Sequence, residues 1–323
     1  MNKIYILLIL LILSCSKPVE KPNLLFILVD DLGWTDVSYN GSDFYETQNI
    51  DRLSLNSMLF YNAYASSSVC SPTRAAIMTG KHPARVNITD WIPGLEEQPH
   101  YNNKNKPLIG PQDLNELPLS EITIAEVLKK NGYKTFYSGK WHLGSEGHYP
   151  EDQGFDINVG GFEKGSPMGG YYTPYKNPKL EDGPEGEYLT DRLTQETIDF
   201  IDSRDESKPF AAFLAFYNVH TPIQENKEFY DYYKEKLKGY DDVEPVTKKE
   251  GDAITLLNQR NAKYASMVHA TDNNVGKIIN YLKENNLYDD TLIVFTSDNG
   301  GLSTVKRIAP TSVYPLRAGK GWL

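Results

Sequence analysis

One stretch near the start of the chain decides the fold class: Asn23-Leu24-Leu25-Phe26-Ile27-Leu28-Val29-Asp30-Asp31. A short, almost continuous apolar run is typical of a strand that is buried on both faces of a parallel sheet. The two carboxylates follow at the point where this strand would reach the carboxyl-terminal edge of the sheet. The stretch therefore predicts a parallel sheet with a polar edge.

Strand-like and helix-like segments alternate after this stretch. We predict helices at residues 119–131, 189–202 and 261–286, and strands at residues 133–138, 210–217 and 291–296. Thr123 and Glu126 have the spacing of a helix capping box, and Gly132 lies where the helix is expected to end. The alternation predicts an α/β fold, with a mainly parallel sheet between helices on both faces. We expect residues 145–188 and 221–250 to be long surface loops.

The composition restricts the classes of function. The chain has 323 residues, of which 40% are hydrophobic and 24% are charged, as is usual for a globular domain. Lys and Arg number 33 and Asp and Glu number 43, which gives a net charge of −10. This balance argues against a nucleic-acid partner, because a general nucleic-acid binder needs a basic surface. An anionic substrate must instead be attracted by a local basic pocket.

The first residues predict export. The apolar run at residues 4–13 is too short to span a bilayer and fits the hydrophobic part of a signal peptide. Ile12-Leu13-Ser14-Cys15 resembles a bacterial lipoprotein cleavage site, so we expect residues 1–14 to be removed and Cys15 to carry the lipid. Residues 15–22 would then form a tether. The alternative is an ordinary signal peptide with an incidental cysteine. The expected location is the periplasm or the cell surface, with the lipid as the only membrane contact.

Chemically capable side chains follow four predicted strands. They are Asp30 and Asp31, Lys140 and His142, His220, and Asp298 and Asn299. Ligands of open α/β sheets bind beyond the carboxyl ends of the strands, so we expect these side chains to meet at one edge. Taken singly, the acidic pairs fit a helix cap or a tight turn, and each histidine fits a structural role. Together, their oxygens predict a site for a hard cation, Ca²⁺ or Mg²⁺, and not zinc.

Cys70 begins another predicted helix. Pro72 suits a first helical turn, and Gly80 is expected to end the helix. A helix start favours an anion, and Arg74 could bind the same anion. The alternative is a buried structural cysteine. If Cys15 carries a lipid, the unpaired thiol of Cys70 in an exported protein needs its own explanation.

The segment Cys70-Ser71-Pro72-Thr73-Arg74 resembles the signature of type I sulfatases, within the alkaline-phosphatase-like superfamily. Further blocks resemble that family in the same order: residues 22–33, Gly139-Lys140-Trp141-His142-Leu143-Gly144, His220-Thr221-Pro222, Ser297-Asp298-Asn299-Gly300 and Pro315-Leu316-Arg317-Ala318-Gly319-Lys320. The resemblance implies that residues 23–323 are the N-terminal catalytic domain. Members normally continue into a C-terminal subdomain, so we expect that subdomain to be missing and the domain to be truncated.

The resemblance also implies an activity, the hydrolysis of sulfate esters, which we expect to be those of sulfated glycans. A formylglycine-generating or sulfatase-maturating enzyme would convert Cys70 to formylglycine, whose hydrate is the family's nucleophile. Ca²⁺, rather than Mg²⁺, would be held by Asp30, Asp31, Asp298, Asn299 and the oxygen of the converted Cys70. Arg74 would stabilise the hydrate and Lys140 would hold a sulfate oxygen. His142 would help to release sulfate, while His220 and Lys320 would bind sulfate and assist the leaving alcohol.

Two other functions stay open on the sequence alone. One is a phosphodiesterase or phosphonate monoester hydrolase of the same superfamily, some of which also use formylglycine. The other is a truncated glycan-binding relic that has lost catalysis.

Overall fold

The computed structural model describes residues 21–93, 113–304 and 309–322. The expected signal peptide at residues 1–14, Cys15 and most of the expected tether lie outside these ranges. The described strands are β1 (Asn23–Val29), β2 (Lys134–Gly139), β3 (Ile157–Val159), β4 (Phe210–Ala215), β5 (Thr247–Glu250), β6 (Ala253–Leu256) and β7 (Thr291–Ser297). β5 and β6 form a separate antiparallel pair, and the other five strands form one parallel sheet in the order β3-β2-β4-β1-β7.

The described α-helices are α1 (Gln48–Leu55), α2 (Cys70–Thr79), α3 (Pro83–Val86), α4 (Ile124–Lys130), α5 (Leu189–Asp202), α6 (Tyr230–Leu237) and α7 (Ala262–Glu284). None of the helices in the described ranges is both long enough and apolar enough to cross a membrane.

Strand β1 separates two hydrophobic cores. Leu25, Ile27 and Val29 are buried in the first core, together with apolar residues of α1, α5 and α7. Leu28 points to the opposite face, where it shares the second core with residues of α2 and α4. This alternation follows from the period of two in a strand. It confirms the predicted fold class, a mainly parallel sheet with helices on both faces.

Local sequence signals fix the ends of the predicted helices. The hydroxyl of Thr123 accepts a hydrogen bond from the Glu126 amide at 3.2 Å, and the Glu126 carboxylate accepts one from the Thr123 amide at 2.7 Å. This capping box makes α4 begin at Ile124, so the predicted start at residue 119 was wrong. α5 has the predicted bounds, and α7 begins directly after Asn261, whose side chain caps it.

The two predicted surface loops were only partly correct. Residues 145–188 include β3, and they bury Tyr171 and Tyr175 in the first core. Residues 221–250 include α6 and β5. These short elements lie among Gly, Pro and charged residues and have no clear hydrophobic period, so the pattern did not indicate them.

The connection between α1 and α2 is exposed. Within it, Met58, Phe60, Tyr61 and Tyr64 have 73–87% of their surface accessible. Residues 58–66 make no hydrogen bond to any residue of the described ranges. This connection, which we call the apolar strip, leads directly into the helix that begins at Cys70.

Candidate active site

The four strands with polar ends are neighbours in the sheet. In the order β2, β4, β1, β7, they bring Lys140, His220, Asp30 and Asp298 to one edge. Backbone hydrogen bonds continue past the strand ends: the Asp30 amide donates to the Asn218 carbonyl at 2.8 Å, and the Asp298 amide donates to the Val29 carbonyl at 3.2 Å. The predicted site residues, scattered in sequence, are therefore held at the same edge.

Three carboxylates and the thiol form the centre of the site. Ligating atoms of Asp30, Asp31, Asp298 and Cys70 all lie within 4.8 Å of one another, and all four residues are buried. The Cys70 Sγ lies 3.5 Å from the Asp30 carboxylate. Cys70 is the first residue of α2, so the start of a ten-residue helix faces this cluster.

Three cations surround the carboxylates, and each carboxylate has one cation within 3 Å. Lys140 Nζ lies 2.6 Å from Asp30. The Arg74 guanidinium contacts Asp298 at 2.8 and 2.9 Å, and it also donates to the Lys140 carbonyl at 2.6 Å. Lys320 Nζ lies 2.7 Å from Asp31 and 3.5 Å from the Cys70 Sγ. Position 70 therefore has positive charge on several sides.

Burial and the neighbouring charges shift the pKa values of Asp30, Asp298 and Cys70. Burial, followed by the neighbouring Asp298 carboxylate, raises the pKa of Asp30 to about 8. Burial would also raise the pKa of Asp298, but Arg74 and Lys140 outweigh it and hold that pKa below its usual range. Burial raises the pKa of the Cys70 thiol to about 12, so the thiol is protonated at neutral pH.

The donor set fits a hard divalent cation. Asn299 donates through Nδ2 to Asp31 at 2.7 Å, while its Oδ1 is buried with no hydrogen-bond partner among the described residues. A buried acceptor without a partner is costly, and a cation would satisfy it. Three clustered carboxylates and the amide group of Asn299 offer the oxygen ligands that Ca²⁺ and Mg²⁺ prefer.

The two predicted histidines differ in their contacts. His220 Nδ1 lies 2.8 Å from the Thr221 carbonyl, and its Nε2 lies 3.8 Å from Asp31. His142 is hydrogen-bonded outside the carboxylate cluster: its Nε2 pairs with the Ile92 carbonyl. Burial lowers the pKa of both rings, that of His220 to about 4, so both are neutral at pH 7. A carbonyl can only accept, so the bonded nitrogen carries the proton in each ring.

Glycines and a buried tyrosine support these side chains, and the sequence analysis did not identify them. A Cβ at Gly165 would lie 2.4 Å from the His142 ring, and one at Gly319 would lie 2.2 Å from the Gly301 carbonyl oxygen. The Tyr171 hydroxyl lies 2.8 Å from the His220 carbonyl oxygen. Gly319 belongs to the segment at residues 315–320 that resembles the family, but its tight packing depends on Gly301, which is distant in the sequence. No local pattern could have indicated it.

Known proteins match this chain closely enough to identify its family. Arylsulfatase J of Mus musculus is 30% identical over 318 residues, which are 94% of this chain and 46% of the relative. N-acetylgalactosamine-6-sulfatase of Homo sapiens is 29% identical over 307 residues, 89% of this chain and 52% of the relative. The chain thus spans about half the length of these curated relatives.

A solved structure agrees with the sequence relatives. The crystal structure of Ps i-CgsB in complex with k-i-k-neocarrahexaose is similar, with a TM-score of 0.68 and 32% identity. The match covers 94% of this chain and 63% of that one. The family model described as Sulfatase matches residues 22–321, nearly the whole described chain. The chain therefore belongs to the sulfatase family.

Proposed function

We propose that the protein is a sulfuric ester hydrolase that acts on sulfate esters. One observation carries the proposal: Asp30, Asp31, Asp298 and Cys70 converge within 4.8 Å, and Arg74, Lys140 and Lys320 contact them. A sulfate ester is an anion, and its hydrolysis needs its oxygens neutralised while a nucleophile attacks sulfur. The arrangement supplies cations on several sides of a single candidate nucleophile.

The fit of the site supports a bound Ca²⁺ held by Asp30, Asp31, Asp298 and Asn299. Such an ion would polarise a sulfate oxygen as a Lewis acid. Lys140, which follows β2, and Arg74, on α2, hold two of these carboxylates through ion pairs and place positive charge beside them. Ca²⁺ is preferred over Mg²⁺ because the ligands come from buried protein groups, and Mg²⁺ usually retains several waters.

The chemistry of position 70 supports its conversion to formylglycine. With a pKa of about 12, the Cys70 thiol supplies almost no thiolate at neutral pH and is a poor nucleophile as it stands. The hydrated aldehyde of formylglycine would supply a hydroxyl nucleophile instead. We propose that a formylglycine-generating or sulfatase-maturating enzyme makes this change.

Lys320, His220 and His142 can take different roles in proton transfer and hydrogen bonding during the reaction. Although burial opposes it, the Asp31 carboxylate raises the pKa of Lys320, so this ammonium keeps its proton and can donate it to the leaving alcohol. Neutral His220 can then serve as a hydrogen-bond partner of the substrate. His142 Nδ1 is buried and has no hydrogen-bond partner among the described residues. We propose that this nitrogen accepts the proton from residue 70 when sulfate leaves.

Mass spectrometry of the peptide that contains residue 70 tests the nucleophile. The protein should be produced with and without a maturating enzyme, and nitrophenyl sulfate turnover should be measured on both samples. We expect formylglycine and turnover only in the first sample. Turnover by protein with an unmodified Cys70 would contradict the assignment, and conversion without turnover would favour the glycan-binding relic.

A parallel assay tests the alternative function, that of a phosphodiesterase or phosphonate monoester hydrolase. The same converted protein is offered nitrophenyl sulfate and nitrophenyl phosphate diesters. We expect the higher kcat/KM on the sulfate ester. Higher efficiency on the diester would replace the proposal with a phosphodiesterase or phosphonate monoester hydrolase function.

We propose sulfated glycans as the substrate class. Two comparisons support it: the Ps i-CgsB structure contains a carrahexaose, and one relative is named for a sulfated amino sugar. Desulfation of galactan and glycosaminoglycan oligosaccharides, followed by sulfate release, would test this class. Activity on aryl sulfates alone would contradict it.

We further propose export and lipid attachment at Cys15. The support is the apolar run at residues 4–13 followed by a lipoprotein-like cleavage site. Metabolic labelling with a fatty acid, compared between the wild type and Cys15→Ser, tests it. Label that persists in the variant would contradict the proposal.

A further inference from the structure

Asp36 is a buried carboxylate outside the cluster of proposed ligands. Its side chain is fully buried, and both of its oxygens accept two hydrogen bonds. Within the described ranges, no Lys, Arg or His lies within ion-pair distance of it. A buried carboxylate is costly, so four neutral donors directed at one side chain indicate a specific role.

The four donors come from three separate parts of the chain. The Gly33 amide donates at 2.7 Å from the turn that follows β1. The Tyr264 hydroxyl, at 2.6 Å, and the Gln259 amide nitrogen, at 2.9 Å, come from the start of α7 and the residues before it. The Thr311 hydroxyl donates from residues 309–322, which we call the lysine segment because it carries Lys320. Asp36 therefore joins three elements that meet beside the site.

One connection leads from Asp36 to Asp31. The Tyr264 hydroxyl that donates to Asp36 also lies 3.4 Å from the Asp31 carbonyl oxygen. Asp31 has a positive φ of 61°, which is uncommon for a residue with a side chain and must be held by its surroundings. The Gly33 bond closes the turn that starts at this residue. Asp36 thus supports the backbone that presents the Asp31 carboxylate.

A second connection leads to Lys320. Next to the bond from Thr311, the Thr35 hydroxyl donates to the Ser312 carbonyl at 2.7 Å, so the lysine segment is bound at its start. At its other end the Lys320 amide donates to the Gly301 carbonyl at 2.9 Å. Between these two anchors the segment places the Lys320 ammonium 2.7 Å from Asp31.

We propose that Asp36 is a positioning residue that aligns Lys320 with Asp31 by binding the lysine segment to the turn after β1. It touches neither the cluster nor a substrate, and it acts through Tyr264 and Thr311. The inference rests on the proposed sulfatase function for its catalytic consequence only. The alignment of the two side chains can be measured without turnover.

Chemical footprinting of Lys320 tests the alignment directly. An acetylating reagent is applied to the folded protein, and the modification of Lys320 is followed by mass spectrometry. We expect Thr311→Val and Asp36→Asn to raise the acetylation rate of Lys320 about fivefold, because a released segment opens locally. Thr311→Ser keeps the hydroxyl and should retain the wild-type rate.

Asp272→Asn is the matched control. Asp272 is also buried and accepts hydrogen bonds from the Asn49 and Ile50 amides, but it lies on α7 away from the cluster. We expect it to lower the melting temperature as Asp36→Asn does, with Lys320 still protected. In converted enzyme, Thr311→Val should lower kcat about tenfold to a hundredfold, and Thr311→Ser should restore it.

The outcomes separate the two proposals. Unchanged Lys320 protection in both Thr311→Val and Asp36→Asn would overturn the positioning role. Equal loss of protection in Asp272→Asn would also overturn it, because the effect would then follow from general destabilisation. Release of Lys320 in Thr311→Val and Asp36→Asn, together with a converted wild type that turns over no sulfate ester, would retain the positioning role and reject the sulfatase function.

Discussion

Single residues in the site are held by buried ion pairs, so their removal should lower the stability of the fold. Lys140 is fully buried against Asp30. Lys140→Ala removes the closer of the two cations at Asp30, since only Arg74 at 3.9 Å remains, and it should destabilise the fold by about 3–5 kcal/mol. Denaturant unfolding measures this loss. Lys134→Ala is the control: it removes a half-exposed lysine from Asp156 at 3.5 Å and should change stability by less than about 1 kcal/mol. Equal effects of the two variants would contradict the buried pairing.

Asp36 makes stability depend on pH. Burial raises its pKa from the ordinary value of 3.8 to about 6, so the folded state binds its proton more tightly than the unfolded state. This contribution is fully present below pH 3.8 and is lost as the pH rises to 6, by about 2–3 kcal/mol. Unfolding of wild type and Asp36→Asn should be compared from pH 4 to pH 7. The advantage of the wild type should decrease over this range, and a constant difference would contradict the assignment.

The sequence predicted which residue types meet in the site, but not how they pair. Strand-end positions sufficed to bring Asp30, Lys140 and Asp298 to one edge, because the ends of parallel strands coincide. The pairing of Arg74 with Asp298, and of Lys320 with Asp31, depends on distances between remote segments. The supporting carboxylate Asp36 also escaped prediction, because a single Asp in a turn has an ordinary local explanation.

At the scale of elements, long and strongly patterned segments were predictable. β1, α5 and α7 lie within two residues of their predicted bounds, since apolar runs and caps define them locally. β3 has only three residues, and α6 and β5 lie in charged sequence, so their structure depends on tertiary packing. The strand order β3-β2-β4-β1-β7 likewise follows from no local signal.

The lysine segment offers a test at this scale. Gly319→Ala would place a Cβ 2.2 Å from the Gly301 carbonyl oxygen and 2.6 Å from the Ser303 hydroxyl, so the segment must shift. We expect kcat on a sulfate ester to fall about tenfold or more through displacement of Lys320. Gly239→Ala is the control, since its Cβ would have only one contact, at 3.4 Å. Equal activity of both variants would contradict the close packing.

Binding of a divalent cation should increase the stability of the whole molecule. The site has three buried carboxylates and three cations inside a chain of net charge −10. Ca²⁺ at about 100 times its Kd should stabilise the folded state by roughly 2.7 kcal/mol, and a chelator should remove this gain together with activity. Thermal unfolding during Ca²⁺ and Mg²⁺ titrations measures it. Asn299→Ala should weaken the response, and a wild type that responds to neither ion would contradict the metal assignment.

The apolar strip has a consequence for how the molecule behaves at high concentration. The run from Met58 to Ala65 has no charged residue and no proline, as is typical of segments that associate as β-strands. Its backbone amides and carbonyls have no hydrogen-bond partner in the described ranges, so they could pair with another copy of the chain. We expect reversible clustering that increases with protein concentration, and we expect Phe60→Lys to suppress it in light-scattering measurements while Lys234→Ala does not. The solubility of this protein at high concentration would then depend on a few exposed side chains outside the candidate active site.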